Sequence, residues 1–147
     1  MARSSPRLEP LLKIVHAMEL KSKQVTVNKS AEALCDFLAD VKNFEQLMPE
    51  NTSKFEVIRD DAFVFALKGM PEIALEVKEI NRPNQIVLGA MSDKLPFTLT
   101  GHIQPVTETS SSIELLFAGE FNAMMAMMIK SPINKFLGTL TDKLQEL

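Results

Sequence analysis

The chain has 147 residues, 46% of them hydrophobic and 24% charged, with a formal net charge of −3. This is the length of one domain, long enough to remove roughly 70% of its unfolded surface from water, and the residue balance excludes a disordered polypeptide. The Lys and Arg residues are scattered rather than gathered into a stripe, which excludes a phosphate-backbone track and leaves nucleic acid out of the expected partners.

At the start, Leu8, Leu11, Leu12 and Val15 recur at helical spacing, and the pattern predicts a short amphipathic helix over residues 9–19. Lys13 interrupts the apolar run Leu11 to Met18, against a secretory signal. The early Arg, Ser and Pro suit a transit peptide, and Glu9 counts against one. Residues 1–17 read equally well as an upstream extension of the working domain. The division expected is an N-terminal extension over 1–19 and a single domain over 20–147.

Gln24 to Asn28 alternates and predicts a strand. Ser30 then offers an N-cap and Glu32 an acid in the first turn, ahead of an apolar helical face of Leu34, Cys35, Leu38 and Val41. A second helical piece over Asn43 to Met48 must stop at Pro49, because the residue before proline is pushed out of the α region.

Six strands follow without an intervening helix, an antiparallel meander. They are carried by Phe55 and Val57; Phe63, Phe65 and Leu67; Ile73, Leu75 and Val77; Ile86, Leu88 and Ala90; Leu95, Phe97, Leu99 and Ile103; and Ile113, Leu115 and Phe117. Turn residues separate them, among them Gly69-Met70-Pro71 and Asn81-Arg82-Pro83-Asn84. Gly89, Gly101 and Gly119 fall inside strands and are expected to mark bulges or sharp bends in a strongly curved sheet.

The last element is a helix whose Ile133, Phe136, Leu137, Leu140, Leu144 and Leu147 fall on a stripe about 100° wide. The concave face of the sheet is the surface large enough to receive it. Upstream lies a run of Met124, Met125, Met127 and Met128. Met125, Ala126 and Ile129 extend the stripe, while Met124, Met127 and Met128 project away from it. Ser131-Pro132 is a candidate bend, with Ser capping and Pro opening a new segment, so that residues 122–130 are read either as a pliable lid or as a contact with the N-terminal segment or a dimer mate.

Strand, two short helices, six strands and one long C-terminal helix is an α+β order. With Asn43-Phe44-Glu45-Gln46-Leu47-Met48-Pro49 closing the short helices and Pro132 within the last, it resembles the START and polyketide-cyclase-like (SRPBCC) superfamily over residues 20–147. The resemblance implies a helix-grip fold: a curved antiparallel sheet of about seven strands wrapped around the C-terminal helix, with a cavity between them. In that superfamily the cavity takes lipids, sterols, quinones, polyketides or other apolar molecules. It brings no shared catalytic residue to transfer.

The chemistry-bearing residues are few. His16 and His102 are separated by the whole meander and Cys35 is the only cysteine, so no metal set is formed and no cofactor is expected. Cys35 lies on the apolar face of its helix and reads as a packed thiol. His102 alternates with Gly101 and Ile103, which places it on the outer face, as does the alternation around Glu76, Lys78 and Glu114. With no Tyr or Trp to supply a hydroxyl or indole N–H, the inward set is unusually apolar.

The expected lining is Met48, Phe63, Phe65, Leu67, Leu75, Leu88, Phe97, Leu99, Leu115, Phe117, Met125, Ile129 and Phe136. The function expected is non-catalytic binding or transport of a small hydrophobic molecule (a lipid, a quinone or a polyketide-like compound) in the cavity between the sheet and the C-terminal helix. The alternatives are a cyclase or dehydratase acting on an aromatic or polyketide-like substrate, and a protein-interaction module, with homodimerisation through the Met cluster or the N-terminal segment. A lone Cys35 and the lack of any apolar run near the roughly 20 residues a bilayer span needs give a soluble, cytoplasmic chain with no stable membrane insertion as the expectation.

Overall fold

Alternation of large apolar with polar or small residues sends one set of side chains to each face of a strand, and this chain repeats that pattern from residue 52 to residue 121. The computed structural model describes residues 16–92 and 96–147. In chain order they form β1 (His16–Lys21), β2 (Val25–Val27), α1 (Ala31–Ala39), a 3-10 helix (Val41–Leu47), β3 (Thr52–Arg59), β4 (Ala62–Leu67), β5 (Ile73–Asn81), β6 (Gln85–Ala90), β7 (Phe97–Pro105), β8 (Ser111–Phe121) and α2 (Ala123–Gln145). The strands make one antiparallel, curved, unclosed sheet in the order β1-β8-β7-β6-β5-β4-β3, with β2 also paired to β8. α2 packs against it, and the architecture is α+β, the helix-grip arrangement.

The register explains the burial. Leu99 faces Phe117, Gly101 faces Leu115 and Ile103 faces Ile113 across β7 and β8, while Phe63 faces Leu75 and Phe65 faces Ile73 across β4 and β5. These residues share the concave face, where α2 adds Ile133, Phe136, Leu137, Leu140 and Leu144 and α1 adds Leu34, Cys35 and Leu38, all buried. Ser30 caps α1, its Oγ accepting from the Ala33 amide at 3.0 Å. The 3-10 helix ends at Met48 in extended geometry, as Pro49 requires.

Three local expectations are corrected. Residues 16–19 are not helical but belong to β1, where Met18 pairs with Gly119 and Leu20 with Phe117, so the sheet begins upstream of residue 20. Strand pairing buries Leu20 against the sheet core. Leu8, Leu11, Leu12 and Val15 lie outside the described residues, as does Leu95.

The strand glycines do not mark the bulges. Register shifts fall between Thr52 and Lys54, Val57 and Arg59, and Val77 and Glu79. Gly101 and Gly119 serve close approach instead: a Cβ at Gly101 would stand 3.3 Å from Ile86 Cγ2, and one at Gly119 only 2.8 Å from the Pro96 carbonyl oxygen.

Ser131-Pro132 does not break the last helix, which runs from Ala123 to Gln145 with Pro132 inside it. Its cap is Asn122, whose Oδ1 accepts from the Met125 amide at 2.8 Å. Proline removes one hydrogen bond of the helical ladder, and the apolar residues on either side of it, Met125 and Ile129 before and Ile133 and Phe136 after, all pack on the core. Among the described residues no helix is long and apolar enough to cross a membrane.

Candidate functional site

The space between sheet and α2 is crossed by stacked rings. Phe44 of the 3-10 helix stacks on Phe63 with centroids 5.1 Å apart, Phe63 lies 6.0 Å from Phe65, and Phe65 stacks on Phe136 of α2 at 5.1 Å and 7°. Phe55 closes on Phe63 at 5.2 Å. A separate group joins Phe97 to Phe117 at 4.8 Å and Phe117 to Phe121 at 6.0 Å. Rings at these separations gain stacking energy beyond their buried area, and they fill the concave face rather than fence a void.

What is left beneath α2 is a void of ≈ 20 Å³, little more than one water's worth and far below the roughly 300–1,000 Å³ of ligand pockets. Of the expected lining, Leu88, Leu99 and Leu115 reach it; Leu38, Phe44, Leu47, Ile86, Gly101, Leu140 and Leu144 complete it. The preformed cavity expected inside the grip is therefore closed in this structure. Met48, Phe63, Phe65, Leu75 and Phe117 are buried as core, and Phe97, Met125 and Ile129 are half-buried against it.

The roomy feature lies at one end of the same interface. A groove of ≈ 1000 Å³ runs between the Pro49–Asn51 loop, the Leu67–Met70 turn and the C-terminal part of α2 from Ser131 onward, with the capping Glu146. Leu67 and Phe136, both from the expected set, form its floor, and each is 5% exposed, so the groove sits directly on the apolar core. Met70 and Pro132 add apolar wall, and Lys68, Lys135, Lys143 and Glu50 stand at the rim. Gly138 lines it too, and a Cβ there would meet nothing within 4 Å.

Acid and base groups stand elsewhere. His102 is exposed on the outer face of β7, opposite Glu114 of β8. Glu76 is bound by Lys78 at 2.9 Å and Arg59 at 2.7 Å on the outer face, and these two cations hold its carboxyl below the ordinary carboxylate range. Cys35 is fully buried, and burial, aided by nearby Asp36 and opposed by Arg82, pushes its thiol upward, so it stays protonated at neutral pH. Among the described residues no three His, Cys, Asp or Glu gather in a way that would hold a metal ion.

No protein-family model and no curated protein sequence matches the chain. Solved structures do. The chain is similar to the aromatase/cyclase ZhuI of Streptomyces sp. R1128 (TM-score 0.71, 12% identity, 89% of this chain and 93% of that one). It is similar to norcoclaurine synthase of Thalictrum flavum, solved with dopamine and hydroxybenzaldehyde (0.70, 13%, 90% and 86%). It is also similar to a START superfamily protein of Mycobacterium smegmatis (0.67, 16%, 87% and 94%). At these identities the likeness speaks to architecture, and over nearly the whole of each chain it is the same architecture. This chain has the helix-grip fold, the architecture it shares with these structures.

Proposed function

We propose that the chain is a non-catalytic binder of one small apolar or amphipathic molecule, held in the groove beside α2 with its apolar end on Leu67, Met70 and Phe136. The observation that carries this is the ≈ 1000 Å³ groove floored by two nearly buried core side chains. Its size falls within the range of ligand sites. Burying a ligand's apolar area there contributes roughly 25 cal/mol per Å² before the ordering costs of association are subtracted.

The cyclase or dehydratase reading is weaker. Such chemistry needs a positioned proton donor or acceptor at the substrate. His102, Glu76 and Glu114 stand on the outer face, and the rim residues Lys68, Lys135 and Glu50 are exposed to water.

The test is competition against a fluorescent fatty acid with a panel of fatty acids, sterols, quinones and aromatic polyketides, paired with native mass spectrometry of each mixture. A bound stoichiometry of one and a melting temperature that climbs with ligand concentration are expected, since a ligand that binds only the folded state stabilises it by mass action. Absence of binding across the whole panel would contradict the proposal.

A further inference from the structure

The methionine run occupies the other half of α2, away from the groove. Met124, Met127 and Met128 are 72%, 80% and 62% exposed, while Met125 and Ile129 turn inward to the core. Beside them lies a second depression, ≈ 460 Å³, between β1 and the start of α2. Its walls are Ala17, Met18 and Leu20 on one side and Ala123 and Ala126 on the other, with Met127 standing at the rim. Three alanines leave the hollow, and adjoining methionines provide the projection to fill one like it.

The charges on this face are paired in the same sense. Glu19 on β1 and Lys130 on α2 both line the depression, yet neither forms an ion pair with another described residue. A surface that carries its own projection and hollow, and its own acid and base, is complementary to itself about a two-fold axis, where residue i meets j and j meets i.

We propose that this face joins a second copy of the chain in a two-fold dimer, Met127 and Met128 entering the partner's alanine-walled hollow and Lys130 facing the partner's Glu19. Methionine suits the role because its unbranched, polarisable chain adapts to an irregular hollow. A lipid surface is a poorer occupant: the chain's net charge is −3 and Glu19 sits in the hollow itself, so attraction to anionic headgroups is lacking.

The experiment is sedimentation equilibrium of the full chain from about 1 to about 500 µM, concentrations that span dimers of ordinary transient strength. A concentration-dependent dimer is expected, shifted to monomer by joint replacement of Met124, Met127 and Met128 with Gln. Glu19→Lys and Lys130→Glu should each weaken the dimer about tenfold, since two symmetric contacts turn repulsive, and the double reversal should restore it. Circular dichroism confirms that each variant is folded.

Four outcomes would overturn the proposal. One is a monomer at every concentration, and a second is a dimer that the triple Gln variant leaves intact. A third is a double charge reversal no better than the single ones. The last is a dimer that forms only after residues 1–15 are deleted, which would make the chain's own N-terminal segment the occupant.

Discussion

Phe63→Ala is expected to lower the stability of the fold by about 3–5 kcal/mol, a large share of the roughly 5–15 kcal/mol by which domains of this size are stable. Phe63 is 1% exposed and is the ring through which Phe44, Phe55 and Phe65 communicate. Removing it deletes the transfer energy of a large side chain, leaves a cavity the sheet cannot fully close, and ends three ring contacts at once. Urea unfolding reads the effect as a fall in midpoint at unchanged slope. Ile58→Ala, at a position 41% exposed, is the control and should change stability by less than about 1 kcal/mol. Equal effects at the two positions would mean that the ring column is not the centre of the core.

The second large effect is on binding. Glycine inside a helix is less stable than alanine by roughly 0.5–1 kcal/mol, so a mid-helix glycine calls for a reason. Close packing does not provide one at Gly138, because a Cβ there would meet nothing within 4 Å. The space it leaves is the groove.

Gly138→Ala should therefore raise stability by up to about 1 kcal/mol with little loss of ligand. Gly138→Trp should keep the fold, since the side chain enters open space, and weaken binding of a fluorescent fatty acid at least about tenfold by occupying the groove. A folded Trp variant with unchanged affinity would place the ligand somewhere other than this groove. Buried Thr141, whose Oγ1 donates to the Leu137 and Gly138 carbonyls, shows that the helix at this point is otherwise well satisfied.

Much of the fold was legible because burial on one face writes a period of two into each strand. Phe63, Phe65 and Leu67 alternate without interruption, and the Ser30 cap follows directly from local side-chain chemistry. β1 was hidden because Met18 and Leu20 alternate for only a few residues directly after Leu8 to Val15 repeat at helical spacing, and pairing with β8 decides between the two periods. Ser131-Pro132 is a strong local signal for a helix start, whereas the packing of Ile133, Phe136 and Leu140 that carries the helix through it from the Asn122 cap is not local.

The glycines illustrate the same limit. A residue without a Cβ serves a bulge and a tight contact equally well, and only the neighbours, Ile86 at Gly101 and Pro96 at Gly119, tell which applies. The inward set was readable, but the space around it was not. Whether Phe63 and Phe65 fence a cavity or fill it depends on how Phe44 and Phe136 arrive from other elements. The groove is assembled from three stretches far apart in the chain, at Pro49–Asn51, Leu67–Met70 and Ser131–Glu146, and no periodicity links them. Leu67 and Phe136 carry the apolar periodicity of their strand and helix, and they are the two residues of the expected lining that join core to groove.

The most direct measurement is the nuclear Overhauser spectrum of the chain carrying labelled leucine and methionine methyl groups, recorded with the tightest-binding member of the lipid panel. Contacts from the ligand to the Leu67 and Met70 methyls are the predicted result. Ligand contacts confined to residues outside the groove, or none at saturating ligand, would contradict the assignment of a small-molecule site beside the C-terminal helix.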